Sequence, residues 1–192
     1  ETLKVAQSLY ETKKLITYPR TESKHLPTNF AQTIDRNLTA IQSMPQYAQL
    51  TTSILQDKSR VQKIQHSKRY VDDKKLTDHH AITVTEVKLG SKKLTPYEDK
   101  IYQLIVKRLL AIFMDPYVVD KTQMILTCGG EHFKATGNVV IDEGYTVLYN
   151  AHKKKQVESN LPALAVGEQR SVKDAKVLSK VTEPPARYTD ST

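Results

Sequence analysis

Cysteine is nearly absent from this chain of 192 residues: Cys128 stands alone. It can form no internal disulfide and offers no thiolate cluster to a metal, which fits a reducing cytoplasm. Long hydrophobic runs are missing too. Nothing approaches the roughly 20 apolar residues of a membrane span, and no stretch has the layout of a signal peptide. Hydrophobic residues nevertheless make up 39% of the chain and charged residues 26%. That balance excludes a disordered polymer and predicts a folded core.

What the chain has in excess is positive charge. The net value is +8, and it is unevenly spread. Residues 1–115 carry 19 Lys and Arg against 12 Asp and Glu, whereas residues 116–192 carry 10 against 9. The first part is therefore suited to meet phosphate, although a basic surface also serves solubility.

In that basic part, Leu15-Ile16-Thr17 is β-prone and Pro19 stops it, so Tyr18 reads as a residue on a bend with Arg20 two positions on. A phenol oxygen can attack a phosphodiester, and a guanidinium can fork two hydrogen bonds onto the phosphate oxygens. Taken alone, such a stretch is ordinarily a surface turn. Tyrosine ionises near pH 10, so forming phenolate at pH 7 costs about 4 kcal/mol. Tyr18 needs cationic neighbours or a base to act as a nucleophile.

Periodicity predicts the elements around it. An amphipathic helix over residues 2–13 buries Leu3, Ala6 and Leu9 or Tyr10 and delivers the Tyr18 stretch. Thr28 is an expected N-cap of a helix running to Gln42, and Tyr47, Leu50 and Ile54 mark another to Asp57. Residues 58–77 are polar and Lys/Arg-rich with Tyr70 among them. They read as a solvated loop, or as the border of a nucleic-acid groove. Asp78-His79-His80 leads into the β-prone Ala81–Thr85. Adjacent side chains of an extended segment point opposite ways, so the two imidazoles cannot both face one site.

Thr95-Pro96-Tyr97-Glu98 is a capping-box start for a helix with a stripe of Tyr97, Ile101, Leu104/Ile105, Leu109 and Ile112, ended by Asp115-Pro116. From Tyr117 the period changes. Short β-prone runs over 122–128, 131–136, 139–141 and 145–150 are separated by Gly129-Gly130, Gly137 and Asp142-Glu143-Gly144. Lys153-Lys154-Lys155 lies in the next loop, and a last strand is predicted over 169–181.

Four motifs in order carry a family resemblance. Leu9-Tyr10-Glu11 with Ile16-Thr17-Tyr18-Pro19-Arg20-Thr21-Glu22-Ser23 resembles the active-site segment of type IA DNA topoisomerases. Asp78-His79-His80-Ala81-Ile82-Thr83, Phe133-Lys134-Ala135-Thr136-Gly137 and Pro184-Pro185-Ala186-Arg187-Tyr188-Thr189 resemble later signatures. The double histidine is similar to the topoisomerase III branch. The chain departs from the family at Val84, where proline is usual, and at Tyr145, where tryptophan is usual.

The resemblance implies an α+β fold: a helical domain with the nucleophilic tyrosine over 1–115, an antiparallel β-rich arch segment over 116–182, and the start of a further helical segment over 183–192. The arch sheet is expected to be incomplete. It implies Tyr18, Arg20 and His79 as catalytic residues, His79 contacting the scissile phosphate, with Lys14, Thr21, Ser23, His80 and Arg187 contacting DNA. The reaction implied is cleavage of single-stranded DNA through a 5′-phosphotyrosine link, with resealing that needs no nucleotide triphosphate. Mg²⁺ is expected only in a longer enzyme, held by acidic residues of a separate N-terminal domain that nothing here matches. The chain begins at Glu1 and stops inside the last motif, so a segment of a longer parent is expected, inactive in relaxation alone. Its expected partners are single-stranded DNA and that missing domain, with no membrane; it is expected to be a monomer at the nucleoid. Two alternatives stay open: a non-catalytic single-strand-binding module in which Tyr18 stacks on a base, and a tyrosine recombinase, where the nucleophile would follow its arginines and histidine.

Overall fold

Thr95 begins the longest helix, α6 (Pro96–Ala111), with both halves of a capping box in place. The Thr95 hydroxyl accepts from the Glu98 amide at 3.2 Å, and the Glu98 carboxylate accepts from the Thr95 amide at 2.8 Å. The Ser8 hydroxyl donates to the same carboxylate at 2.7 Å. Ser8 belongs to α1 (Thr2–Glu11), so the capping residue of one helix also ties down another.

The computed structural model describes residues 1–152 and 161–188. The chain divides into two units, Glu1–Asn160 and Leu161–Thr192. The first is α+β. Besides α1 and α6 it contains α2 (Thr28–Gln32), α3 (Ile34–Gln42), α4 (Pro45–Gln56) and α5 (Lys58–Gln65), then an antiparallel hairpin of β1 (Val118–Cys128) and β2 (Glu131–Asp142). Its core gathers Leu9, Leu15, Ile16, Ile34, Leu38, Ile41, Ile54, Val84, Tyr102, Val106, Leu110 and Phe113, all nearly or fully buried. The described part of the second unit, 161–188, contains no helix or strand. No helix among the described residues is long and apolar enough to cross a membrane.

Several expectations are corrected. The helix expected from Thr28 to Gln42 is two helices broken at Thr33, and Thr28 is a first-turn residue, not the cap. Its amide and hydroxyl both donate to Asp73 instead. The basic stretch from residue 58 begins as a helix. Val61 and Ile64 are buried, and Asp57 caps it by accepting from the Arg60 amide at 3.0 Å. Arg60 then latches α5 to the end of α6, donating to the Phe113 carbonyl at 3.0 Å and pairing with Asp115 at 3.6 Å.

The apolar stripe expected on α6 is rotated. Tyr97 and Leu104 are exposed, and Tyr102, Val106, Leu109 and Leu110 form the inner face. Leu3 is likewise exposed on α1. The first three β-prone runs merge into one hairpin. Gly129 and Gly130, at φ 59° and 85°, make the turn, while Gly137 sits inside β2 opposite Thr122. Residues Gly144–His152 form a 3-10 segment, and no strand covers 169–181. Gly144 has φ 46°, and a Cβ there would lie 2.3 Å from the Pro116 carbonyl oxygen, so the hairpin returns to α6 through a position only glycine fits. The Lys153-Lys154-Lys155 stretch lies outside the described residues.

Candidate active site

The stretch after α1 turns sharply. The Thr12 and Lys13 amides both donate to the Ser8 carbonyl at 3.0 Å, and Leu15 donates to Leu9 at 2.9 Å. Lys14 takes the left-handed conformation, φ 58°, that commonly closes a helix. Its carbonyl accepts the Thr85 hydroxyl at 2.6 Å. Leu15 and Ile16 are then buried as anchors, and Ile16 forms an antiparallel bridge to Val84.

Around that bridge the Tyr18 and His79 segments are stitched together. The Thr17 amide donates to the Thr83 carbonyl at 2.9 Å, and Thr85 donates to Leu15 at 3.0 Å. The Thr17 hydroxyl accepts from the Thr83 amide at 2.9 Å and donates to the Ala81 carbonyl at 3.3 Å. Further along, the Thr21 hydroxyl donates to the His79 carbonyl at 2.9 Å, and the Ala81 amide to the His25 carbonyl at 2.9 Å. Asn37, buried on α3, donates to the Val84 carbonyl at 2.9 Å and supports the bridge from behind. Two segments more than 60 residues apart in sequence are therefore held in one register.

That register brings three rings together. Tyr18, half-buried, has the His79 ring 4.2 Å away at 37°, and Tyr10 meets it edge-on at 5.4 Å and 82°. The Lys14 ammonium stands 5.7 Å from the centre of the Tyr10 ring. Pro19 is buried and Arg20 exposed. Among the described residues, no group hydrogen-bonds the Tyr18 hydroxyl, the His79 ring nitrogens or the Arg20 guanidinium. A phenol clamped between two rings keeps its orientation while its oxygen stays available. The His79 imidazole against it offers a hydrogen-bond donor of the kind a phosphate needs, and Lys14 brings positive charge to the Tyr10 side of the cluster.

The remaining predicted residues fall into different positions. His80 turns away: its Nδ1 lies 2.8 Å from the Ala81 carbonyl and its ring 5.4 Å from Phe30. Thr21 and Ser23 have their hydroxyl hydrogens committed internally, to His79 and to the Lys75 carbonyl at 3.4 Å. They shape the loop and can only accept from a ligand. Arg187 is exposed in the second unit. Sequence reasoning misses Tyr10 and Thr17 as site residues. Periodicity makes Tyr10 a helix-face residue, and the signals that could have found both are their membership of the motif around Tyr18 and, for Tyr10, its place in the last turn of the helix that leads there.

The described residues do not offer a donor set that fits a divalent metal. Among the described residues no three His, Cys, Asp or Glu gather to hold one. The Asp72-Asp73 pair is engaged: Asp73 accepts from Thr28, and Asp72 accepts from the Lys74 amide at 3.2 Å and pairs with Lys75 at 3.8 Å.

Comparison with known proteins shows which family the sequence falls in. The DNA topoisomerase family matches residues 1–192. The DNA topoisomerase 3 proteins of Bacillus licheniformis and Bacillus subtilis are each 37% identical, over 196 and 197 residues, covering 100% of this chain and 26% of their own length. That of Shouchella clausii is 31% identical over 193 residues with the same coverage. The chain thus spans about a quarter of these relatives.

Proposed function

This chain belongs to the DNA topoisomerase family, in its type IA, topoisomerase III-like branch, and we propose that it carries the nucleophile half of the active site. The observation that carries the reading is the clamped Tyr18 phenol, with His79 against its ring and no internal partner on its oxygen. In the proposed step the Tyr18 oxygen forms a bond to a backbone phosphorus of single-stranded DNA. The bond from phosphorus to the 3′-oxygen breaks, the DNA 5′ end stays on the protein, and the phenol proton ends on the released 3′-hydroxyl. Arg20 forks onto the non-bridging oxygens and His79 donates to one of them. The ester energy is kept in the link, so the reverse attack reseals the strand.

The division of the chain into a nucleophile domain over 1–115, an arch segment over 116–182 and a following segment from 183 belongs to this proposal. So do Mg²⁺ held by acidic residues on another domain of the same parent, a monomeric state and a place at the bacterial nucleoid. Lys14 extends the contact to the strand, and Thr21 and Ser23 act by holding the loop. The rival reading, in which Tyr18 only stacks on a base, takes support from the same three-ring cluster.

One experiment separates them. The longer protein containing this segment and its metal-binding domain is mixed with labelled single-stranded DNA, trapped with denaturant and digested. The label is expected on the Tyr18 peptide at the 5′ end of the DNA. Tyr18→Phe is expected to abolish the adduct and keep binding within about threefold, since a base stacks on either ring. An adduct on another residue, or one that survives Tyr18→Phe, refutes the proposal.

A further inference from the structure

Away from Tyr18, two hollows lie side by side in the first unit and share Tyr70 and Ile112 as a common wall. The larger, about 550 Å³, opens between α5 and the end of α6 and is bordered by Arg60, Lys63 and Arg69. The smaller, about 210 Å³, has apolar walls including Leu26, Ile105 and Leu109, with Lys24 and Arg108 at its edge. Five cations border the pair against two carboxylates, Asp57 and Asp115, and both carboxylates are spent on Arg60. Among the described residues, Lys24, Lys63, Arg69 and Arg108 have no acidic partner within salt-bridge distance. The Arg69 guanidinium lies 5.4 Å from the centre of the Tyr70 ring.

We infer that these hollows form a second binding trough for single-stranded nucleic acid, separate from the cleavage site, with the Arg69–Tyr70 pair as its stacking station. Rows of unpaired cations beside an aromatic are what a single strand needs: charge tracks the backbone and the ring or guanidinium plane carries a base without regard to sequence. The apolar walls suit a base and the edge cations suit phosphate. The smaller hollow is bordered by Ala81, Ile82 and Thr83, the segment whose other contacts pin Thr17 beside Tyr18. A strand seated in the trough would pass beside residues 81–83, the segment that holds the nucleophile loop. The inference rests on the nucleic-acid part of the proposed function and needs no cleavage.

The test measures binding of this chain to a fluorescent oligothymidylate by anisotropy across a series of salt concentrations. Lys63→Ala with Arg69→Ala, both on exposed side chains, is expected to weaken binding at least tenfold at low salt. It should also reduce the slope of log affinity against log salt by about 1.4, or about 0.7 for each phosphate no longer neutralised. Tyr70→Leu, which keeps an apolar body in the wall, is expected to weaken binding about tenfold and leave the slope unchanged. An oligonucleotide carrying iodouracil is expected to photocrosslink to the peptide with Tyr70. Unchanged affinity and slope in the double variant overturn the trough, whatever Tyr70→Leu does. If the double variant binds normally while the Tyr18 adduct forms, the trough alone fails. If it weakens binding and no Tyr18 adduct forms, the cleavage reading alone fails.

Discussion

Thr17 and Thr83 are neighbours across the bridge beside the nucleophile, and their hydroxyls are in opposite situations. The Thr17 hydroxyl serves two backbone groups, whereas the Thr83 hydroxyl is buried with no hydrogen-bond partner. Thr17→Val keeps the shape and leaves the buried Thr83 amide unsatisfied, so a loss of about 1–3 kcal/mol is expected. Thr83→Val removes an oxygen that already lacks a partner and is expected to be neutral or stabilising by up to about 1 kcal/mol. Urea unfolding checks both: the midpoint should fall for the first and hold or rise for the second, with unchanged slopes. Equal effects would mean that the Thr17 hydroxyl does not pin the two segments. At this scale the sequence is informative about chemistry and poor about contacts. It puts a phenol on a bend and requires His79 and His80 to diverge, because both follow from local backbone rules. It cannot reveal that Tyr10 lies edge-on to Tyr18 or that Thr21 holds the His79 carbonyl. Those contacts depend on a register set by pairing over 60 residues away.

The capping box of α6 is legible because every part of it lies within four residues, Thr95 to Glu98. Its use as a junction is not, since the Ser8 hydroxyl arrives from α1. That junction predicts a pH dependence. The Thr95 amide and then the Ser8 hydroxyl hold the Glu98 carboxyl below its ordinary value of 4.5, against the opposing effect of burial, with Lys13 adding charge. A carboxyl with a depressed folded value stabilises the fold above its unfolded value and loses that stabilisation as pH falls through the folded one. Stability should therefore drop below about pH 4.5. Glu98→Gln, which keeps the shape without titrating, should shrink the difference between urea midpoints at about pH 6 and about pH 3. An unaltered difference would place the acid sensitivity elsewhere. The unexpected element, α5, is hidden by its composition. Lysine, arginine and glutamine dominate it, and only Val61 and Ile64, three residues apart, mark an inward face beside the Asp57 cap. The strand expected over 169–181 fails for a different reason: β-prone residues make a strand only where a neighbour supplies the ladder, and no strand of the described chain pairs with them.

Within the first unit, burial is concentrated in the helices. Every residue of the apolar core lies in α1–α6 or their connections up to Phe113, whereas Gly137 is the one buried position of β1 and β2. Among the described residues of the first unit, Ile125, Leu126, Phe133, Val139 and Ile141 are exposed and no helix packs as a layer on the hairpin. A two-stranded hairpin is marginal by itself, and this one is tied to the helices chiefly through Gly144 against Pro116 and the Tyr145 amide on the Asp115 carbonyl at 2.9 Å. Opening the hairpin would expose little that is now buried. Hydrogen exchange on the 192-residue chain should therefore be faster for the amides of β1 and β2 than for those of α3, α4 and α6, by at least about two orders of magnitude. The helical amides should approach the global unfolding limit. Hairpin amides protected as strongly as α6 in dilute protein would mean that the ladder is stabilised by something other than burial in this fold. Protection that grew with protein concentration would identify that stabilisation as pairing between copies along the exposed edges of β1 and β2.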